Sequence, residues 1–404
     1  MRILIVTQYI YPETFKSSDM AFDLAKRGHQ VEVLTGIPNY PEGHYYPGYG
    51  IFRNRREKKD GVTFYRCFQT PRKFLPGFLG LACNYISFVI SAVHWVLFYF
   101  AWKKKYDAII THEPSPITQI IPAILLKKIR KTPVYSWIMD IWPDSMTCHM
   151  GKRMAKFSYP LLNCITNWVY KNSDRILISS EGFAPFVNRD HDYSDKIIYF
   201  PNWSEDILAA PIEAIPPLPS GFIIMMAGNI GSGLGIDSLL SLFEKCRDIP
   251  DLHFVLVGGG SAVNEMTEYI VDKELTNVHM MGRFPQTAMH SFYDKANAML
   301  ITLAKLDLSF LQATVPARLQ NYMSAGKPIL GMADGDVAKI INGNRIGFCS
   351  AAGDYEELSR YIREEVLKNP SEFSGRGKKS RNMYEKMFTR EMCINNLETI
   401  LTNN

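Results

Sequence analysis

Two side chains with acid–base and hydrogen-bonding capacity stand just past apolar, strand-like runs. His112 opens His112-Glu113-Pro114-Ser115-Pro116, directly after Ala108-Ile109-Ile110-Thr111. A strand-end histidine followed by Pro-x-Pro leaves the strand in an extended turn and aims its imidazole at whatever binds there. Asp140 lies in Trp137-Ile138-Met139-Asp140-Ile141-Trp142-Pro143-Asp144-Ser145. A carboxylate at the end of an apolar strand and between tryptophans suits a ligand with hydroxyls and flat faces. The indoles would stack, and Asp140 would accept a hydrogen bond or act as general base. Asp144 and Ser145 read as helix-capping residues.

Further along, Ala227-Gly228-Asn229-Ile230-Gly231-Ser232-Gly233-Leu234-Gly235 sets glycines between a strand and a helix. Backbone N–H groups in such a loop approach a phosphate closely. Arg318, in Thr314-Val315-Pro316-Ala317-Arg318, precedes a helix. Its guanidinium suits a diphosphate clamped by two hydrogen bonds, and the charge that develops on a leaving diphosphate. Arg283, in Gly282-Arg283-Phe284-Pro285, is a second candidate. Gly258-Gly259-Gly260 would close against a nucleotide base or ribose.

These residues need strands to carry them. The first half alternates strands at Ile3–Val6, Val31–Leu34, Val62–Arg66, Ala108–Thr111, Val134–Met139 and Arg175–Ser179 with helices, the first capped by Ser17 or Ser18. Residues 204–220 hold Pro211, Pro216, Pro217 and Pro219 and read as a linker. Alternation restarts at Phe222–Ala227 and continues through His253–Val257, Val278–Met281, Ala298–Ile301 and Pro328–Gly331. Apolar strands alternating with helices imply α/β, doubly wound parallel sheets. The expected division is 1–203, a linker 204–220, a second domain 221–380 and a C-terminal helix within 381–404.

Composition agrees with two ordinary cores: 404 residues, 47% hydrophobic and 21% charged. A net charge of +5 is compatible with nucleotide phosphates or anionic lipid and demands neither. The seven cysteines form no Cys-x-x-Cys pair, which argues against a zinc site or a disulfide framework and favours a reducing cytosol. Phe78 to Trp102 is long and apolar enough to span a bilayer, but Asn84, Ser87, Ser91 and His94 recur at helical spacing. The expectation is an amphipathic helix, either core or lying on a membrane surface beside Lys103-Lys104-Lys105.

The loop Gly36-Ile37-Pro38-Asn39-Tyr40-Pro41-Glu42-Gly43, with the motifs above in the same order, resembles family 4 retaining glycosyltransferases of the GT-B fold. The resemblance covers nearly the whole chain and is to the branch that builds bacterial surface polysaccharides. It implies two Rossmann-like domains facing across a cleft, with the C-terminal helix crossing back to the first domain. It implies a nucleotide-sugar donor, a UDP-sugar, whose sugar is an N-acetylated amino or deoxy sugar. It also implies a polyprenyl-diphosphate-linked saccharide acceptor and a protein peripheral on the cytoplasmic face of the inner membrane. Implied catalytic residues are His112 and Asp140. Implied donor residues are Gly228, Asn229, Gly231, Ser232, Arg283, Arg318 and Asn321, and implied acceptor residues are Asn39, Tyr40 and Asp140. Asn202, in Phe200-Pro201-Asn202-Trp203, reads as a structural hinge-region residue.

The sequence departs from the family at three points. No Arg or Lys stands within residues 227–235. Two glutamates common in the family fall at Ala313 and Asn321, and neither is acidic here. Neither a metal nor any other cofactor is expected, and no nucleic-acid partner. Rival readings are a non-catalytic scaffold of the same fold, favoured by the missing charges, and a sugar-nucleotide 2-epimerase, disfavoured by them.

Overall fold

The computed structural model describes residues 1–148, 150–305 and 309–403. Contacts divide the chain into two units, Met1–Phe200 with the stretch from Ile394 onward, and Pro201–Cys393. The first unit runs β1 (Arg2–Val6), α1 (Lys16–Lys26), β2 (Gln30–Gly36), β3 (Arg56–Lys59), β4 (Val62–Cys67), α2 (Gly77–Phe98), β5 (Ala108–Glu113), α3 (Ile121–Arg130), β6 (Val134–Ile138), α4 (Asp144–Thr147), α5 (Lys152–Asn172), β7 (Arg175–Ile178), α6 (Ala184–Val187) and β8 (Ile197–Tyr199). The second runs β9 (Phe222–Asn229), α7 (Ile236–Lys245), β10 (Leu252–Gly259), α8 (Val263–Asp272), β11 (Val278–Gly282), α9 (Met289–Lys295), β12 (Ala298–Thr302), α10 (Ser309–Gln312), α11 (Ala317–Ser324), β13 (Ile329–Met332), α12 (Gly335–Gly343), β14 (Gly347–Ser350), α13 (Tyr355–Tyr361) and α14 (Pro370–Met387). A last helix, α15 (Arg390–Thr402), follows.

Each unit is a doubly wound sheet with helices on both faces. The first has strand order β3-β4-β2-β1-β5-β6-β7-β8, parallel except for β3. The second is β11-β10-β9-β12-β13-β14, parallel throughout. Strands such as Ile3-Leu4-Ile5-Val6 and Met225-Met226-Ala227 are buried because helices cover both faces of a parallel sheet. Strand order reverses between β1 and β5 in one unit and between β9 and β12 in the other. At such a reversal the flanking loops diverge to opposite faces and leave a crevice at the carboxyl ends of the strands.

Several elements correct the sequence expectation. The charged run 53–59 carries β3, an antiparallel edge strand whose register pairs Arg56 with Tyr65. The expected single C-terminal helix is two helices, α14 and α15, broken between Met387 and Arg390. Glu398 of α15 pairs with Arg27 and, at 2.7 Å, with His29. Neither Ser17 nor Ser18 caps α1, which begins at Lys16 after Phe15. Instead, Ser17 donates to the Tyr9 carbonyl and Ser18 accepts from the Tyr11 amide, so both hold the loop after β1.

The glycine triplet serves strand approach before any ligand. Gly258 has φ +153°, and a Cβ there would lie 1.9 Å from the Gly228 carbonyl oxygen. A Cβ on Gly260 would lie 2.0 Å from the Ile230 oxygen. Gly258→Ala is therefore expected to cost on the order of 2 kcal/mol or more, read as a lowered midpoint of thermal or denaturant unfolding. An unchanged midpoint would mean β9 and β10 separate without cost.

Candidate functional site

In the first unit, functional residues gather where β1 and β5 end. His112 is opposite Trp137 in the β5–β6 register, with ring centroids 4.9 Å apart, and Phe15 is 6.3 Å away on another side. The imidazole is buried and its Nδ1 has no hydrogen-bond partner among the described residues. Burial pushes its pKa down to about 3, so it is neutral at physiological pH. A neutral imidazole can offer a hydrogen bond but not a positive charge.

Asp140 follows β6 and is half-buried, with Oδ1 accepting from the Ile141 amide at 3.0 Å. The flanking tryptophans differ from expectation. Trp137 is fully buried and donates to the Phe200 carbonyl at 3.1 Å, while Trp142 is buried and donates to Ser115 Oγ at 3.0 Å. Neither indole is open for stacking; each ties strand ends together. Asp144 does not cap α4, whose N-cap is Pro143; its carboxylate accepts from Arg189 at 2.8 Å instead.

The loop after β2 is built around side chains that point inward. Asn39 is fully buried, donates to the Ile37 carbonyl at 2.9 Å, and accepts from the Arg72 amide at 3.3 Å. This corrects the expectation of an acceptor ligand: Asn39 shapes the loop. Tyr40 is 38% exposed, and its ring lies 5.2 Å from Phe15 and 5.7 Å from Tyr9, with the Arg72 guanidinium 5.1 Å over it. The Asn39 and Tyr40 amides both donate to Glu13 Oε1 at 2.7 Å. Burial pushes Glu13 up to about 7 against those two donors, which favour its charged form.

Asn84 of α2 joins these loops. It is fully buried, and its Oδ1 accepts from Gln8 Nε2 at 2.8 Å and the Tyr9 hydroxyl at 2.9 Å. Its Nδ2 donates to the Thr70 carbonyl and, at 3.3 Å, to Asn39 Oδ1. Ser87 and Ser91 accept from the Thr70 and Phe68 amides, each at 2.9 Å. Asn84, Ser87 and Ser91 of α2 thus turn toward the loops, while His94 is exposed beside Phe98.

In the second unit the structure brings most of the candidate phosphate-binding residues together. Gly228 has φ +121°, and a Cβ there would meet the Arg318 guanidinium at 3.7 Å. Arg318 Nη2 donates to the Asn229 carbonyl at 2.6 Å, while its buried Nη1 has no partner among the described residues. Arg283 lies across Gly259, where a Cβ would be 2.2 Å from its Nε. Gly228, Asn229, Gly258, Gly259 and Arg283 line one cavity of about 320 Å³. Gly231 sits against Asn229 and Ser261. Ser232 opens a short 3₁₀ turn that separates the glycine loop from α7 and lines a neighbouring cavity of about 420 Å³. Asn321 does not join this group; its Oδ1 accepts from the Ser204 hydroxyl.

Sequence reasoning missed Glu13, Arg72 and Tyr322. The Tyr322 hydroxyl accepts from the Ala227 amide at 2.8 Å and donates to its carbonyl at 3.0 Å, pinning α11 and hence Arg318 to β9. The Glu13 signal was a lone carboxylate in the loop after the first strand. Arg72 and Tyr322 left no signal that spacing reveals.

Two doubly wound sheets of this topology, one carrying a glycine-rich loop between strand and helix, match the GT-B fold. Solved GT-B structures cover the chain end to end. HepE from Anabaena in complex with UDP matches at TM-score 0.67 and 14% identity over 100% of both chains. WaaG, a glycosyltransferase involved in lipopolysaccharide biosynthesis, matches at 0.65 and 11%, also over 100% of both. Residues 17–203 match the family described as glycosyl transferase 4-like domain and 213–387 that of glycosyl transferases group 1. Together the two matches make the chain a glycosyltransferase, with a glycosyl transferase 4-like first half and a group 1 second half. It is 23% identical over 375 residues to the putative colanic acid biosynthesis glycosyl transferase WcaI of Escherichia coli K12, covering 87% of this chain and 88% of that one.

Glu13→Ala removes the acceptor for two loop amides. Hydrogen exchange at Asn39 and Tyr40 is expected to speed up by about tenfold or more, while exchange in β1 and β5 stays slow. Unchanged exchange at Asn39 and Tyr40 would show that the loop holds its shape without Glu13.

Proposed function

We propose that this glycosyltransferase moves a sugar, with retention at the anomeric carbon, from a UDP-sugar to a saccharide carried on a polyprenyl diphosphate, in bacterial surface polysaccharide synthesis. The observation that carries the donor half is Arg318. A cation sits over Gly228 with one face anchored to Asn229 and a buried Nη1 left without a partner among the described residues, an arrangement that suits an anionic ligand. UDP accompanies the HepE structure, and WcaI is described in colanic acid biosynthesis, which supports the nucleotide and the pathway class. Arg318, Arg283 and backbone N–H groups of residues 228–232 would meet the diphosphate charge without a divalent cation. A cavity of about 240 Å³ lined by Gly233, Leu303, Ala304, Leu311 and Pro316 favours a sugar bearing an apolar substituent, such as an N-acetyl or deoxy methyl group.

In the proposed reaction the bond from the anomeric carbon to the diphosphate oxygen breaks as the acceptor oxygen bonds to that carbon. The acceptor's proton passes to the departing phosphate on the same face. Neutral His112 hydrogen-bonds a hydroxyl of the reacting sugar. Asp140 and Tyr40 hold the acceptor, and Arg318 stabilises the departing charge.

The acceptor's lipid is met by an outward surface. Leu79, Ile86, Ile90 and Leu97 fall within about 20° of one line along α2 at 100° per residue, and all are exposed, Ile90 at 65%. Only 28% of the helix's most apolar window is buried. Trp102 is 82% exposed. Packing from α2 to α3 and from α3 to α5 sets α5 in the same layer, where Met154, Phe157 and Leu161 are exposed beside Lys152, Arg153 and Lys156. Lys103 is held by Glu32 and Tyr65, leaving Lys104 and Lys105 exposed at the end of α2. Apolar stripes edged by lysine and arginine suit the cytoplasmic face of an inner membrane.

Calorimetry with UDP, GDP and ADP in metal-free buffer tests the donor site. Selective UDP binding is expected, and Arg318→Ala should weaken it by on the order of 2 kcal/mol. His112→Ala should lower turnover much more than UDP affinity. Equal UDP binding by the Arg318 variant would remove the phosphate assignment.

The membrane reading is tested by sedimentation with vesicles. Ile86→Ser with Ile90→Ser should release the protein from vesicles containing anionic lipid without lowering its unfolding temperature. A large drop in that temperature would show those side chains to be core.

A further inference from the structure

Glu113 is the last residue of β5, next to His112 and opposite Ile138 in the β5–β6 register. It is completely buried, and neither carboxyl oxygen has a hydrogen-bond partner among the described residues. Its main chain is fixed by the Met139 amide, which donates to its carbonyl at 3.0 Å. An ionised carboxylate in such a place would forgo hydration with nothing in return.

Among the described residues, the charged and titratable groups around it offer no counter-ion. From the loop after β6 it feels Asp140, a like charge that opposes ionisation. The buried hydroxyls of Tyr170 on α5 and Tyr85 on α2 interact with both carboxyls and are themselves held neutral by burial. Arg189, on the Tyr170 side, is bound to Asp144, and Arg72 acts on Tyr85. His112, the chain neighbour, is neutral. Only the backbone amides of Met139 and Asp140 favour the charged form. Asp140 differs in both respects: it is half-buried, and its Oδ1 receives the Ile141 amide.

We propose that Glu113 is kept as an uncharged carboxylic acid in its buried place, so that it adds no second negative charge beside Asp140. Glu113 is then a positioning residue: it lets Asp140 face a hydroxyl without a second carboxylate beside it. Complete burial without a hydrogen-bond partner among the described residues holds the proton on Glu113, and the like charge of Asp140 adds to it. The catalytic consequence rests on the acceptor role proposed for Asp140; the retained proton does not, and it is measured without turnover.

The sign of the pH dependence follows from burial of the neutral acid. Below the ordinary glutamate range, both folded and unfolded chains carry a protonated Glu113. As pH rises, the unfolded chain loses that proton first and the folded state loses stability relative to a variant that cannot ionise. Glu113→Gln should therefore unfold at a higher temperature than wild type at neutral pH, with a gap that widens from about pH 5 to pH 8. Asp140→Asn removes the like charge, so the widening should be smaller in that background. Infrared difference spectra between neutral and alkaline pH should show a protonated carboxylic-acid carbonyl band in wild type that is absent from Glu113→Gln. In kcat/KM against pH, wild type should show an alkaline fall that Glu113→Gln lacks.

A gap that does not change with pH, or no protonated-acid band, would overturn the neutral acid. A gap indifferent to Asp140→Asn would overturn the part assigned to Asp140. If the thermal and infrared results hold and the kinetic limb is unchanged, Glu113 keeps its proton but the acceptor role of Asp140 is wrong.

Discussion

The first unit's site depends on one buried amide. Asn84 accepts from Gln8 and Tyr9 and donates to Thr70 and Asn39, so one side chain joins the loops after β1, β2 and β4 to the helix α2. Amides suit this task because they offer both donors and acceptors in a fixed plane. In a buried setting each of these bonds is hard to replace, since losing one partner leaves others unsatisfied. Tyr40, Phe15 and His112 inherit their positions from that junction, through the ring contacts that run from Tyr40 to Phe15 and on to His112.

The second unit solves a similar problem with backbone in place of side chains. Glycines at 228, 258 and 260 let the ends of β9 and β10 approach within distances that a Cβ would forbid. Across the space so opened lie two guanidiniums, Arg318 over Gly228 and Arg283 over Gly259. The absence of a basic residue within 227–235 is therefore met from β11's end and from α11. Tyr322 sets the distance by clamping both polar groups of Ala227. Asn321, one turn after Arg318, is turned to Ser204, so its amide holds the start of the second unit.

What the sequence made legible was strand ends. Apolar runs ending in His112, Asp140 and Gly228 needed only period, turn residues and the rule that parallel strands present ligands at their carboxyl ends. Side-chain direction was not legible. Asn39, Trp137 and Trp142 sit in loops or at strand ends where a single rotation decides between solvent and core, and each proved buried. The helix α2 shows the same limit more sharply. Its polar positions were visible at helical spacing, but spacing does not say which face meets water, and here Asn84, Ser87 and Ser91 meet the loops while the leucines and isoleucines face out. Glu13 and Glu113 were in view but without an assignable role for a related reason: only burial distinguishes a carboxyl that organises a loop, or keeps its proton, from one that is merely solvated.

The orientation of α2 makes it a mechanical part. Its inner edge grips the backbone at Phe68 and Thr70 through serine hydroxyls, and its outer edge is hydrocarbon. A tug or tilt applied to the outer edge would pass through those hydroxyls to the segments that shape Tyr40's surroundings. One rod thus joins an outward hydrocarbon face to the alignment of a loop.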